Sequence, residues 1–234
     1  MGCENMGGLL YALVRFIKPV SVVELGGGFT SVFLLQALAD NAAEAQAMAS
    51  AASAAASLGF PWLVPGFVGA KLDTATLHVV DTLAHAHSTA GLVAAAADAL
   101  QLRRHLRFHK CDALDSDLPS ILAAEVRHFG LVWLDIGAGL RLDALVRAWW
   151  PRVDPNGGIV AVHSSLTNVV GQAWVKSMRA ASASGSDPQL GCFEIMSFLE
   201  PHKLFQNSVT MLRRRGGGIG GDPVYDEPVF SKLP

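Results

Sequence analysis

Short apolar strands alternate with helical segments along most of this chain of 234 residues. The predicted strands lie at 21–25, 76–81, 106–110, 131–135, 158–163, 193–199 and 208–213. Several are short and either continuously apolar or rich in β-branched residues, as expected when both faces of a sheet are covered. The predicted helices lie at 30–40, 87–100, 118–125, 142–150 and 166–184. This alternation indicates an α/β fold with a parallel sheet and right-handed crossovers, and the short link between the last two strands indicates an antiparallel pair.

Two segments stand outside this alternation. The first, 41–73, begins with an Ala-rich stretch that should extend the preceding helix, because Ala is the best helix former. Its second half, "LGFPWLVPGFVGAKLD", is rich in Pro and Gly. The second segment, 216–234, begins as a Gly-rich linker and continues as an extended tail. We therefore predict one domain over 1–215, with an insertion at 41–73, followed by the linker and tail.

Composition excludes several classes of partner. Hydrophobic residues make up 51% of the chain and charged residues 16%, which is enough apolar material for a large core. The net charge of -2 offers no basic face, so we predict no nucleic-acid partner. Outside the Ala-rich stretch no apolar run has transmembrane length, and that stretch, 42–57, is too weakly hydrophobic to span a bilayer, so we predict no membrane partner. The three cysteines are far apart and form no C-x-x-C pair, which favours reduced thiols and a cytoplasmic protein. A homodimer is left open.

The stretch "VVELGGGFTS" places three glycines between an apolar strand and a predicted helix. Gly26 and Gly28 can take positive φ and let a ligand touch the backbone, while Thr30 or Ser31 can cap the helix. A nicotinamide dinucleotide must be considered at such a loop. However, its G-x-G-x-x-G signature is incomplete, and the next strand-end acid, Asp81, comes too late. An NAD-dependent oxidoreductase is therefore the less favoured interpretation.

Four acids mark the ends of four successive predicted strands: Glu24, Asp81, Asp112 and Asp135. Ligands of doubly wound sheets bind beyond the carboxyl ends of the strands, so these acids should ring one cleft. Carboxylates there can accept hydrogen bonds from an ammonium group, a ribose diol and an adenine amine. The set favours S-adenosylmethionine over a phosphate compound. The alternative is that the acids are ordinary turn formers and helix caps.

Two motifs carry a family resemblance. "VVELGGGFTS" resembles motif I of class I S-adenosylmethionine-dependent methyltransferases, and the segment "FGLVWLDIGAG…DPNGGIVAVHSS" resembles the small catechol/caffeoyl-CoA-type O-methyltransferases. The likeness spans roughly 20–215. It implies a Rossmann-like, seven-stranded, mostly parallel sheet with an antiparallel last strand and helices on both faces. It also implies S-adenosylmethionine as cofactor, with S-adenosylhomocysteine as product.

Carried onto this sequence, the resemblance implies particular cofactor contacts. Glu24 and the glycines would line the methionine side, Asp81 would hold the ribose, and Asp112 with Ala113 would face the adenine. The full set of expected cofactor-binding residues is Glu24, Gly26, Gly27, Gly28, Thr30, Ser31, Asp81, Thr82, Asp112, Ala113 and Asp135.

The sequence departs from the metal-dependent members of this family. They carry an Asp-Asn pair after the fifth strand, where this chain has His163-Ser164. One carboxylate, Asp135, with one imidazole is a poor magnesium site, so we predict no metal unless His202 adds a third ligand for a softer ion. His163, with Asp135 as its neighbour across the cleft, is instead a candidate general base. A helix cap or a core histidine is the alternative for His163.

The donor motifs say little about the acceptor, because methyl transfer asks mainly for alignment and exclusion of water. We expect the acceptor pocket to involve the N-terminal segment, the insertion and the tail, with Trp62, His202 and Tyr225 as substrate-binding candidates. Phe67 and Phe230 are further aromatic candidates, although such residues could equally pack on the core or on a dimer partner. The remaining histidines that we considered are interpreted as structural: His85, His87, His105, His109 and His128.

These observations predict transfer of a methyl group from S-adenosylmethionine to a small molecule, with O-methylation favoured over N-methylation. A non-catalytic methyltransferase-like binding subunit is the main alternative, and an oxidoreductase the weaker one.

Overall fold

The computed structural model describes residues 4–57, 67, 70–86, 88–185, 187–200 and 207–215, with backbone only for residue 4 and residues 53–57. Within these ranges it forms one seven-stranded sheet. The strands are β1 (Ser21–Leu25), β2 (Thr76–Val80), β3 (Leu106–His109), β4 (Leu131–Leu134), β5 (Ile159–His163), β6 (Phe193–Leu199) and β7 (Ser208–Arg214). They are ordered β3-β2-β1-β4-β5-β7-β6. Strands β1 to β5 pair in parallel, and β7 is antiparallel to both of its neighbours. The predicted α/β fold, with its antiparallel last strand, is confirmed.

The described helices cover both faces of this sheet. They are α1 (Glu4–Ile17), α2 (Phe29–Ser57), α3 (Val93–Ala99), α4 (Leu118–Leu122), α5 (Leu142–Trp149) and α6 (Val169–Ser184). Buried side chains of α1, α2 and α3 form one apolar core with the sheet, and those of α4, α5 and α6 form the other. The strand order reverses between β1 and β4, and ligands of open α/β sheets bind at such a switch point. Among the described helices, none is long and apolar enough to cross a membrane.

Helix α1 is a feature that we did not predict from the sequence. Its apolar stripe Met6, Leu10 and Val14 repeats every four residues and is buried against the sheet and α2. Polar bonds join its other side to α2: the Tyr11 hydroxyl donates to Asp40 Oδ2 at 2.7 Å, and Arg15 donates to the Asn41 amide oxygen at 2.7 Å. The N-terminal segment is thus part of the packed domain.

Helix α2 starts at the glycine loop and continues without interruption through the Ala-rich stretch, as predicted. Beyond its far end, Phe67 is half-buried, and its ring centroid lies 4.4 Å from Lys18 Nζ. Lys18 precedes β1, so Phe67 lies at the amino end of the sheet, opposite the carboxyl ends where the predicted cleft opens. We therefore correct the expectation that Phe67 walls the acceptor pocket.

Candidate active site

The glycine loop is pressed between the ends of β2 and β4. Gly26 has φ +92°, and a Cβ atom there would lie 2.3 Å from the carbonyl oxygen of Asp135. Gly26 N–H donates to the Val80 carbonyl at 2.9 Å, which holds the loop against β2. At Gly27, a Cβ atom would lie 2.5 Å from Val79 Cγ1. Side chains are therefore excluded at both positions by contacts with neighbouring strands.

Glu24 is linked to this loop through hydrogen bonds to Thr30 and Ser31. It is fully buried, and its two carboxylate oxygens accept hydrogen bonds from Thr30 Oγ1, at 2.5 Å, and from the Ser31 hydroxyl. Ser31 Oγ in turn accepts from Gly28 N–H at 3.0 Å. Burial raises the pKa of Glu24 to about 8, although both hydroxyl groups act to lower it. Because α2 begins at Phe29, Thr30 and Ser31 lie in its first turn and not at its cap position.

A cavity of about 470 Å³ opens at this edge of the sheet, and we call it the glycine-loop cavity. Its walls include seven of the predicted cofactor residues: Gly26, Gly27, Asp81, Thr82, Asp112, Ala113 and Asp135. Asp81 accepts hydrogen bonds from the backbone N–H groups of Leu83, at 2.6 Å, and Gly27, at 3.2 Å. A carboxylate has about four acceptor positions, so Asp81 keeps capacity for a ligand.

Four other predicted cofactor residues are not among the residues lining this cavity: Glu24, Gly28, Thr30 and Ser31. Direct contact of these residues with a ligand stays a prediction, and three of them form the buried support described above. The cavity also has lining residues that we did not predict, among them His85 and Ser88. His85 was interpreted from the sequence as structural. His85 lies in the loop after β2, shortly after Asp81 in the sequence, and this position could have identified it as a cavity-lining residue.

The predicted neighbours Asp135 and His163 are in contact. Asp135 follows β4 and His163 ends β5, and the pairing of these strands brings the two side chains together. His163 Nδ1 lies 2.7 Å from Asp135 Oδ1, and the two side chains are only 13% and 20% exposed. The other ring nitrogen, Nε2, is buried and has no hydrogen-bond partner among the described residues. A buried nitrogen without a partner is costly, so it calls for an explanation.

Ser164, the next residue, has a left-handed backbone. Its φ is +54°, a conformation that costs a non-glycine residue on the order of 1–3 kcal/mol. Two short bonds hold it: Ser164 N–H donates to the Ser208 carbonyl at 2.7 Å, and the Asn168 side-chain amide donates to the Ser164 carbonyl at 2.6 Å. The turn immediately after His163 is therefore fixed by β7 and by the residue that caps α6.

A second cavity, of about 400 Å³, lies on the other side of Asp135, and we call it the dyad cavity. Its lining includes His163, Ser164, Ser165 and Asn168. Asp135, Ile136 and Gly137 line both cavities, so the two are adjacent. The predicted substrate residues Trp62, His202 and Tyr225, and also Phe230, lie outside the described residues.

Comparison with known proteins gives a result at the level of structure only. No protein-family model matches the sequence, and no curated protein matches it. Among similar solved structures is the O-methyltransferase TomG from Streptomyces achromogenes, involved in tomaymycin synthesis and solved with SAM. The two sequences are 17% identical over 91% of this chain and 80% of TomG, with a TM-score of 0.60.

Two further structures give the same result. An O-methyltransferase from Bacillus cereus, in complex with SAH, is 11% identical over 91% of this chain and 81% of its own, with a TM-score of 0.57. An SAH-bound methyltransferase from Podospora anserina is 14% identical over 92% of this chain and 80% of its own, with a TM-score of 0.54. The chain therefore has the Rossmann-like fold of these methyltransferases.

Proposed function

We propose that this protein is a methyltransferase that uses S-adenosylmethionine and acts on a small-molecule acceptor, with oxygen favoured over nitrogen as the acceptor atom. One observation carries the proposal. Seven residues assigned to cofactor binding line a single cavity, which meets a second cavity at Asp135, beside His163. Likeness in fold to methyltransferases solved with SAM or SAH supports it.

The donor would occupy the glycine-loop cavity, whose size lies within the usual range for small-molecule sites of about 300–1,000 Å³. Gly26 and Gly27 would bring bare backbone against its methionine part. Asp81 would accept the ribose hydroxyls with its remaining lone pairs, and Asp112 with Ala113 would meet the adenine. Glu24 would act indirectly, by holding Thr30 and Ser31 beneath the loop.

Bound S-adenosylmethionine would supply a methyl group already activated by its sulfonium. The chain would need to orient an acceptor in the dyad cavity, exclude water and remove one proton. We assign that proton to His163 Nε2. Asp135 holds the Nδ1 side of the ring, as carboxylates do for catalytic histidines elsewhere. Nε2 is enclosed in this structure, so the assignment requires that neighbouring side chains move to admit an acceptor.

Calorimetric titration with S-adenosylmethionine, S-adenosylhomocysteine and NAD tests the donor assignment. Binding of S-adenosylmethionine and S-adenosylhomocysteine, with no binding of NAD, supports the assignment. Binding of NAD alone would favour an oxidoreductase. Transfer is then tested with labelled S-adenosylmethionine against catechols, other phenols and amines. Product formed on hydroxyl acceptors supports O-methylation. Donor binding without transfer to any acceptor would favour the non-catalytic binding subunit.

The proposal also covers cellular location, domain organisation and oligomeric state. The two cysteines found free among the described residues, Cys111 and Cys192, are consistent with reduced thiols, and we propose a cytoplasmic protein. We propose that residues 1–215 act as one domain, with 216–234 as an appendage. A homodimer is proposed as the form to test by light scattering.

A further inference from the structure

Two histidines, His78 and His109, meet on one face of the sheet, and neither lines the glycine-loop cavity or the dyad cavity. Strands β2 and β3 pair so that His78 lies opposite Arg107 and Val80 opposite His109. His78 and His109 therefore project from the same face, on a diagonal between neighbouring strands. Their rings are nearly parallel, at 6°, with centroids 5.2 Å apart, and His78 Nδ1 lies 3.0 Å from His109 Nε2.

A carboxylate joins this pair. Glu125 follows α4, the helix that covers this edge of the sheet, and its side chain is exposed. One ligand atom from each of His78, His109 and Glu125 lies within 4.8 Å of the other two. No other group of three or more such side chains occurs among the described residues. We infer that these three residues bind a divalent transition metal ion of the zinc class.

The ligand set fits zinc chemically. Two imidazoles with one carboxylate form a known protein set for Zn²⁺, which leaves a fourth position for water. Tetrahedral bonds of about 2.0–2.2 Å place neighbouring ligand atoms roughly 3.3 Å apart. The two histidine nitrogens are already near that separation. The exposed Glu125 side chain is free to close the remaining distance at little cost in packing.

The surroundings of His78 fit an oriented metal ligand. Its second ring nitrogen, Nε2, lies 3.2 Å from Thr76 Oγ1, the kind of outer contact that fixes the tautomer of a metal-binding histidine. The Phe129 ring packs edge-on against His78, with centroids 5.6 Å apart. His78 is only 2% exposed, so its ring has little freedom to turn away.

Charge around the cluster is mixed. Burial lowers the pKa of His78 to about 4 and also lowers that of His109; in both cases it favours the neutral imidazole, the form that binds metals. The positive charge of Arg107 lowers both values further and opposes a bound cation. The carboxylate of Glu125 acts in the opposite direction on both histidines and would offset that repulsion.

The competing explanation is a plain hydrogen bond between two neutral histidines. Such a pair needs only one N–H and one lone pair, and it assigns no role to Glu125. The two explanations therefore differ in what a Glu125 substitution does. The metal site would also connect the edge strand β3 to the end of α4, close to Asp112, because His109 lies three residues before it.

Zinc binding to the full chain is the test. Protein stripped with a chelator and dialysed is titrated with Zn²⁺ by calorimetry, and with Co²⁺ by visible absorption, which reports tetrahedral coordination. We expect one ion per chain. Glu125→Gln and His109→Ala should each weaken binding by at least about ten-fold. The matched controls His128→Ala and Asp117→Asn, at an imidazole and a carboxylate outside the cluster, should bind as the parent protein does.

Two results would overturn the inference. One is no stoichiometric binding of Zn²⁺ or Co²⁺ by the parent protein. The other is equal affinity in the parent protein, Glu125→Gln and His109→Ala. Because Glu125 is exposed, its variant should fold normally, and circular dichroism of each variant checks this. The test requires no methyl transfer, so its outcome is independent of the proposed function.

Discussion

His163 Nδ1 lies 2.7 Å from Asp135 Oδ1, across the ends of two adjacent parallel strands. The contact orients the imidazole, and the Trp133 ring packs against it at 5.7 Å between centroids. It also places His163 beside the one carboxylate among the four strand-end acids that lines both cavities. In the proposed function, this pair is where donor and acceptor would meet.

Replacing the histidine tests its role as base. His163→Ala should leave affinity for S-adenosylmethionine nearly unchanged and slow turnover by about 10²–10⁴-fold, the usual loss for a general base. The defect should shrink at higher pH, where the acceptor is already deprotonated. Turnover and donor affinity are measured side by side, with His128→Ala as the control. Normal turnover with reduced thermal stability would instead mean a structural histidine.

Asp81 tests the donor assignment. Asp81→Ala should weaken binding of S-adenosylmethionine by about 1.5–3 kcal/mol, the scale of a lost hydrogen bond to a charged group. That corresponds to an increase in Kd of roughly 10- to 150-fold. Calorimetry measures the change, and Asp98→Ala, on the exposed surface of α3, is the control. Unchanged donor binding would remove Asp81 from the ribose site.

Gly26 tests the need for bare backbone in the loop. Gly26→Ala adds a Cβ atom 2.3 Å from the Asp135 carbonyl oxygen, at a φ that disfavours alanine. The strained φ alone should cost about 1–3 kcal/mol, and the overlap should displace the loop and abolish donor binding. Gly91→Ala is the matched control, because a Cβ there meets nothing within 4 Å. If the two variants had the same unfolding temperature and the same donor affinity, the inference that position 26 requires glycine would be wrong.

Glu24 should make the free energy of unfolding depend on pH, and its raised pKa sets the direction of that change. The folded value of about 8 exceeds the ordinary value of 4.5, so the native state holds the proton more tightly than the unfolded chain. The stabilisation that protonated Glu24 contributes is fully present below about pH 4.5 and is lost as the pH rises through about 8. At about 1.36 kcal/mol per pKa unit, the loss is on the order of a few kcal/mol.

Glu24→Gln cannot ionise, so its unfolding free energy should fall less over that pH range than that of the parent protein. Chemical denaturation at a series of pH values measures both slopes. Parallel slopes would show that Glu24 titrates normally in the folded protein.

Chelation tests the prediction that catalysis at Asp135 and His163 needs no metal. Once an acceptor is found, turnover should survive EDTA at a temperature where circular dichroism shows the protein folded. His109→Ala, which lacks the proposed zinc site, should respond to EDTA in the same way. If EDTA abolishes turnover in both proteins and a divalent ion restores it, Asp135 and His163 are metal ligands.

The sequence by itself determined the architecture and the edge of the sheet where the site lies. Continuous apolar runs predict strands that are covered on both faces, and β1 begins and ends where the sequence predicts. Acids that follow successive parallel strands must meet at one edge, because those strands all point the same way. That rule places Asp81, Asp112 and Asp135 around one cavity without knowledge of any contact.

Only the tertiary structure decided which way individual side chains face. The sequence predicts Glu24 at the glycine loop but not its partners: in the folded chain Glu24 is fully buried and accepts hydrogen bonds from Thr30 and Ser31. His78 and His109 stand 31 residues apart, and strand register alone brings them together. A one-residue shift in register would send one of them to the opposite face, because side chains alternate along a strand. Contacts between distant segments depend on pairing and packing, which local sequence patterns do not encode.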